Sequence, residues 1–405
     1  MSAYKRFQRF FVTVLIAVGF FYGGYYMGKR GFIFEVRKNP PQVEIINKYP
    51  GDKEIDFTLF WEVWDLVSRD YLMRPVDPQA MLYGAIQGMV SSLDDPYTSF
   101  LEPEINETVL EALEGKYQGI GAELGMKEDQ LIIVAPLDGS PAKAAGVKSG
   151  DKIIKIEDEG TVGLSITEAV HKIRGTAGTK IKLTLQRDNT EPEEIVITRG
   201  VITLSSVTWE DKGNGIAYIR VSRFGGETNS EWDTAVSEIN IKMNELDSII
   251  IDLRGNPGGY LQSAVYLAGE FFRDKPVVYQ EDALGEKIPL ESNRVGDFTN
   301  IPAVYVLIDE GSASASEILA AALQSHTDAV LIGKKTFGKG TIQDTKDFND
   351  GSGVHITIAK WLTPDKKWIH EEGLKPDIEI EITEEDIENN VDPQLNKAIE
   401  LANEI

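Results

Sequence analysis

Across residues 200–376, short aliphatic runs take turns with segments of helical periodicity, and this alternation restricts the fold more than any other feature of the chain. Strand signals at Ile216–Val221, 248–253, 302–308 and 329–332 are separated by helix signals at 228–246, 259–272 and 314–324. The run IIIDL at 249–253 is apolar enough to be buried on both sheet faces. An α/β layered domain follows.

Upstream the pattern changes. Between about Gly115 and Gly200 lie β-branched runs at 131–134, Lys152–Ile156, Lys180–Gln186 and 194–198. Two short helical stretches, 142–145 and Ile166–Ile173, fall between them, and glycines punctuate the whole. This reads as a small self-contained β-rich module. Before it, Phe57, Phe60, Trp61, Trp64 and Val67 recur at helical spacing, and a second helix is predicted over 77–93, with Pro78 near its start. Residues 31–52, with three prolines and charges of both signs, read as a linker.

The stretch 10–27, FFVTVLIAVGFFYGGYYM, is uncharged, and a helix of that length nearly spans about 30 Å of hydrocarbon. Its end, YYMGKRG, lacks the small-residue cleavage site of a signal peptide, so an uncleaved signal anchor is expected. Lys5, Arg6 and Arg9 before it and Lys29, Arg30, Arg37 and Lys38 after it are too evenly balanced to orient it.

Composition removes several chemistries. The 405 residues carry 41 Lys plus Arg against 65 Asp plus Glu, a net charge of −24 that disfavours nucleic acid as main partner. There is no cysteine, hence no disulfide, thiol nucleophile or thiolate metal site. The four histidines, His171, His326, His355 and His370, show no zinc-ligand spacing, so neither a metal nor a cofactor is expected.

Serine is then the first nucleophile to consider. The G-x-S-x-G elbow is absent, and two S-x-x-K matches, Ser140/Lys143 and Ser149/Lys152, lie by turns of the β-rich module, where chance accounts for them. The small-residue run 311–317, GSASASE, follows the strand VYVLI and opens a helix, where free backbone N–H groups could hold an oxyanion. An ordinary N-cap explains the same residues equally well. Two more glycine-rich crossings, 254–259 and 336–343, leave strands of the same domain, and the second holds Lys339 between two glycines. A lysine buried there would lose proton affinity and serve as a general base. Active sites of open α/β sheets gather at such strand ends. No phosphate-binding glycine motif matches.

In this order LRGNPGG (253–259), GSASASEI (311–318) and TFGKGTIQ (336–343) resemble the carboxy-terminal processing peptidases, or tail-specific proteases, which are Ser-Lys enzymes. DGSG at 350–353, 357–361, LKPD at 374–377 and LDDPYTSFL at 93–101 extend the resemblance. The β-rich module resembles the family's PDZ domain through YQGIGAEL (117–124), SPAKAAGVKSGD (140–151) and IRGTAGT (173–179).

The resemblance implies Ser314 as nucleophile, Lys339 as general base and Gln343 as the residue orienting the lysine. It implies oxyanion donors at Ala315 and at Gly258 or Gly259, and a C-terminus-binding loop formed by Gly119, Ile120, Gly121 and Ala122. The expected organisation is α/β (α+β) and multidomain. It comprises a cytoplasmic stub and membrane helix (1–30), a linker (31–54), a helical N-terminal region (55–112) and a PDZ-like domain (113–200). A peptidase core (201–380) and an acidic tail with a short helix (381–405) complete it. The implied function is a membrane-anchored endopeptidase, single-pass in the cell membrane with its catalytic part outside the cytoplasm. Its partners would be proteins or peptides with accessible C-termini, and a homodimer is compatible with the flanking helices. A catalytically silent PDZ scaffold is the alternative.

Overall fold

The computed structural model describes residues 3–29, 32–38, 41–47, 57–127, 130–137, 139–187 and 190–405. The chain divides into two compact units, Met1–Met81 and Leu82–Ile405.

In the first unit a helix covers Ala3–Lys29, and strands Phe32–Lys38 and Pro41–Asn47 pair antiparallel, with Phe32 opposite Asn47. The segment expected as a linker therefore holds paired strands. Its prolines drew the reading away from the alternation of Phe32, Phe34 and Val36 and of Val43 and Ile45. The helix Thr58–Asp70 follows, with the rings of Phe60, Trp61 and Trp64 clustered 5.1–6.0 Å apart.

The expected transmembrane anchor is overturned. Among the described residues no helix is long and apolar enough to cross a membrane. Tyr22, Gly23, Gly24, Tyr25 and Tyr26 dilute the second half of the run. What stays apolar, 10–21, is about 18 Å of helix against about 30 Å of hydrocarbon. The membrane partner, the single-pass cell-membrane placement that was to carry the extracytoplasmic catalytic part, and the membrane-anchored form of the function rested on that span and are not supported.

The second unit begins with the rest of the helix Pro78–Ser91 and the helix Pro103–Glu114. A β-rich module follows, its sheet ordered Glu193–Thr198, Lys180–Gln186, Lys152–Ile156, Gln130–Pro136, Ala122–Lys127, so that Ala122–Lys127 forms one edge. Ile133, Ile153, Leu183, Ala169 and Ile173 fill its core. Where the chain enters and leaves the module, Lys116–Gly119 pairs antiparallel with Gly200–Thr203.

After the module comes a six-stranded sheet in sequence order: β1 (Val207–Asp211), β2 (Ile216–Val221), β3 (Ser248–Asp252), β4 (Ala303–Ile308), β5 (Val330–Gly333) and β6 (Ile378–Glu379). β1 is antiparallel to β2 and the other neighbours are parallel. All five residues of β3 are buried, Ser248 and Asp252 with the three isoleucines, so the strand is covered on both faces.

Helices α1 (Thr228–Lys242), α2 (Leu261–Ala268) and α3 (Ala315–Thr327) contribute to the core on one face, where Ile249 and Ile251 point. α1 buries Trp232, Ala235, Val236 and Ile239, a helical stripe. α3 is built largely of strong helix formers and is buried from Ala315 to Leu323. The other face, with Ile250, Tyr218, Tyr305, Leu307 and Ile332, is covered by the helix Pro393–Ala402 through Ala398 and Ala402.

A second sheet lies outside the sequence expectations. Its order is Lys287–Glu291, Pro276–Glu281, Gly353–Leu362, Thr341–Asp347, with Ser99–Leu101 added to Gly353–Leu362.

Candidate active site

β3, β4 and β5 are adjacent and parallel, so the loops leaving their C-terminal ends, 253–260, 309–314 and 334–340, emerge side by side. Side chains and backbone lock them together. Ser312 Oγ donates to Leu253 O (2.9 Å), Ser316 Oγ to Asn256 O (2.9 Å), and the Ala313 N–H to the same Asn256 carbonyl (3.0 Å). The Phe337 N–H donates to Ser312 O (3.0 Å), joining the third loop. Ser312 and Ser316 are thus buried fasteners between loops.

Ser314 stands at the head of α3 with φ 54° and ψ −113°, a left-handed conformation that costs a non-glycine residue of order 1–3 kcal/mol. The buried carboxylate of Glu317 holds it there. Glu317 Oε2 accepts the Ser314 N–H (2.8 Å) and the Lys339 N–H (2.9 Å), while Oε1 accepts Thr336 Oγ1 (2.5 Å) and the Gly338 N–H (2.7 Å). One carboxylate oxygen therefore lies between the amides of Ser314 and Lys339. In the sequence Glu317 looks like an ordinary first-turn acid, and the small residues around it were the only hint of its burial.

Lys339 is half-buried. Burial pushes its ammonium below the ordinary lysine range, with the Asp95 carboxylate pulling weakly the other way. Its Nζ lies 5.1 Å from the centre of the Tyr97 ring. Its carbonyl accepts Trp361 Nε1 (2.7 Å), and the next one, Gly340 O, accepts Trp368 Nε1 (2.8 Å). Tyr97 and Asp95 come from the LDDPYTSFL motif, which the strand Ser99–Leu101 ties into the second sheet. Thr98 Oγ1 donates to Asp95 Oδ2 (2.6 Å) and accepts the Thr357 N–H (3.0 Å). His355 is shifted below the usual histidine range by burial and then by the Lys339 charge.

Gln343 follows a bulge in the strand Thr341–Asp347. Its amide donates to Thr341 Oγ1 (2.9 Å) and Thr357 Oγ1 (3.1 Å), and among the described residues no hydrogen bond joins it to Lys339.

The two glycines left open by the sequence differ in the structure. The Gly258 N–H is taken by Asn256 Oδ1 (2.9 Å), and a Cβ on Gly258 would lie 2.9 Å from Ser314 Cβ and 3.0 Å from the Ala315 N. No hydrogen bond among the described residues engages the N–H of Gly259 or that of the fully buried Ala315. Gly259 is locked by its flanks: the Phe224 N–H donates to Gly258 O (2.9 Å) and the Tyr260 N–H to Phe224 O (2.7 Å).

In the β-rich module Gly119, Ile120 and Gly121 are buried. Ile120 O accepts the Ala142 N–H (2.8 Å) and Gly121 O the Leu137 N–H (2.9 Å), which fixes the loop against the helix Pro141–Ala144. Gly121 has φ 71°, and a Cβ there would sit 2.5 Å from Ser140 Cβ. Ala122 opens the edge strand, beside the helix Ile166–Ile173.

Residues 215–380 match the model of peptidase family S41, 119–187 that of the PDZ domain, and 16–105 that of the activating protease CtpB N-terminal domain. Over 333 residues the chain is 38% identical to the carboxy-terminal processing protease CtpA of Bacillus subtilis, an alignment covering 82% of this chain and 70% of that protein. It is 38% identical to CtpB of the same organism over 326 residues, covering 79% and 66%, so it spans about two-thirds of these relatives. The solved structure of a candidate S41 protease from Bacteroides fragilis shares the fold at 17% identity and a TM-score of 0.55, covering 87% of this chain and 98% of that one.

Proposed function

Because this chain belongs to the carboxy-terminal processing proteases, serine-type endopeptidases with a PDZ domain, we propose that Ser314 is its nucleophile and Lys339 the general base. The N–H groups of Ala315 and Gly259 are the oxyanion donors in this reading. The supporting observation is the Glu317 carboxylate oxygen shared by the amides of Ser314 and Lys339, which brings the two loops to one point. Gly259 is preferred to Gly258 because Asn256 already occupies the Gly258 N–H.

Neutral Lys339 takes the proton from Ser314 Oγ as that oxygen attacks the scissile carbonyl carbon. The carbonyl oxygen becomes an oxyanion held by two N–H groups that have no competing partner. The C–N bond then breaks, and the Lys339 ammonium protonates the departing amine. Water attacks the Ser314 ester, giving its proton to Lys339; the bond between the acyl carbon and Ser314 Oγ then breaks, Lys339 returns the proton to Ser314 Oγ, and the acid product leaves. Gln343, bonded to two threonine hydroxyls, acts from the strand that continues the Lys339 loop.

The module at 119–187 takes the substrate's end. The turn Gly119–Ile120–Gly121–Ala122 receives a terminal carboxylate on backbone donors, and the edge strand Ala122–Lys127 has one side open for an added strand. Substrates are proteins or peptides with accessible C-termini. The test is cleavage of an unfolded reporter with a free apolar C-terminus by the full chain, with products identified by intact mass. Wild type should cut, and Ser314→Ala and Lys339→Ala should not; equal turnover in all three overturns the assignment.

A further inference from the structure

The start of the loop 254–259 is gripped by residues that the reaction scheme does not use. Arg254, with its side chain 13% exposed, spends its whole guanidinium on three partners. Nε and Nη2 donate to Asp252 Oδ1 (2.9 Å) and Oδ2 (2.6 Å), and Nη1 and Nη2 to Asp392 Oδ1 (2.9 Å) and Oδ2 (2.8 Å). Nη1 also reaches Gln394 Oε1 (3.0 Å).

Asp252, the fully buried last residue of β3, accepts further bonds from Tyr218 Oη (2.7 Å), Arg220 Nη1 (3.1 Å) and the Arg254 N–H (2.9 Å). Asp392 caps the helix Pro393–Ala402 by accepting the Leu395 N–H (2.9 Å), and the buried Gln394 donates to Ile380 O (2.7 Å). A chain of charge-assisted bonds thus runs from the end of β3, through the loop, to a helix on the opposite face of the sheet. Covering that face needs only the apolar side of the helix, which Ala398 and Ala402 supply. The second carboxylate on Arg254 does something else. The loop is fastened to the 311–316 run on both sides of Arg254, through Leu253 O and Asn256 O, and at its far end to Phe224, so Arg254 is the anchor that ties it to the opposite face of the sheet.

We propose that Asp392 and Gln394 are positioning residues of the reaction, holding Arg254 so that the loop presents the Gly259 N–H to the developing oxyanion. This rests on the assignment of Ser314 and Gly259 above. An oxyanion exists only in the transition state and the tetrahedral intermediate, so the bridge acts on kcat and leaves KM nearly alone.

The experiment compares full-length wild type, Asp392→Ala, Asp392→Glu, Gln394→Met, Ala398→Gly and Ser314→Ala. Steady-state cleavage of one peptide is measured at a temperature where circular dichroism shows each variant folded. Asp392→Ala should lower kcat roughly tenfold or more with KM within about twofold, since full removal of an oxyanion donor costs about 10²–10³. Asp392→Glu should recover most of the loss. Ala398→Gly, which loosens the helix without touching Arg254, should lower Tm and keep the kcat of wild type. Should Asp392→Ala not fold, Gln394→Met carries the test, with a smaller loss confined to kcat.

A folded Asp392→Ala with wild-type kcat overturns the inference, as does an equal kcat loss in Ala398→Gly. If Ser314→Ala is inactive while Asp392→Ala is not impaired, this inference alone fails. If Ser314→Ala still cleaves, the assignment of the serine fails and takes the inference with it.

Discussion

Lys339 illustrates how one residue trades stability for chemistry. Burial favours its neutral form, the form that the proposed reaction requires to accept the Ser314 proton. The acidic limb of the kcat/KM profile should therefore have its midpoint below the ordinary lysine value of about 10.4. A midpoint at or above that value would contradict a desolvated base. The same shift has a stability consequence with a definite sign. Between the lowered folded pKa and about 10.4 the unfolded chain binds the proton that the folded one has released, so this group's contribution to stability rises with pH across that window. Below it, a cation is held where burial disfavours it. Lys339→Met should then raise Tm at neutral pH while abolishing cleavage, and a thermal melt of the two proteins side by side checks it.

Glu317 is the opposite case. Its carboxylate accepts four donors, and its loss would leave four hydrogen-bonding groups of two loops without their partner. Glu317→Ala should cost about 3 kcal/mol or more, read from denaturant unfolding, and eliminate turnover.

At the scale of elements, the loop after β3 is the least forgiving part of the molecule. Gly259 has φ 135°, and a Cβ there would lie 2.1 Å from Phe224 O, a backbone atom that cannot step aside. Gly259→Ala should be inactive and have a lower Tm, whereas an active Gly259→Ala would require the oxyanion donor to lie elsewhere. Sequence reasoning reached the strand before this loop because the run Ile249–Ile251 with Leu253 is apolar enough to be buried on both sheet faces. It singled out the Ser314 and Lys339 loops as glycine- and serine-rich crossings at strand ends, and only the ordered motifs of the resemblance chose between a site there and an ordinary N-cap and turn.

The second sheet was not legible. Strands such as Lys287–Glu291 and Thr341–Asp347 are largely polar or exposed, so no period-two burial marks them. Nor was the role of the helix Pro393–Ala402 legible. Its own amphipathicity shows that it packs, while its place on the far face is set by residues distant in sequence, Tyr218 and Ile250 among them. The apolar run near the amino terminus misled for a related reason. Absence of charge was weighed there more heavily than the tyrosines and glycines that dilute it.

For the molecule as a whole, recognition and cutting belong to parts joined by one pair of chain crossings, with Arg174 of the module also paired to Glu111 of the helix Pro103–Glu114. The PDZ module enters and leaves through the paired segments Lys116–Gly119 and Gly200–Thr203, and just outside them the Leu204 N–H donates to Gly115 O (2.8 Å). Removing 116–203 and bridging Gly115 to Leu204 with a short glycine linker should therefore leave the peptidase layers folded. That protein should still cut an unstructured peptide in a Ser314-dependent way. It should no longer prefer a free C-terminal carboxylate over the amidated peptide, a preference that the full chain should show in parallel assays. A deletion protein that keeps the preference would place carboxylate recognition outside the module.

The bridge from Arg254 to Asp392 also has a meaning in time. Its two partners are separated by 138 residues, and a ribosome adding roughly 5–20 residues per second makes Asp392 on the order of ten seconds after Arg254. In the last part of that interval, once Lys339 has been made, the serine and lysine loops both exist while the brace for their neighbour does not. On the proposal above, a nascent chain gains full cutting power only after Asp392 has been made, so chains that stop short of it would be poor at digesting one another.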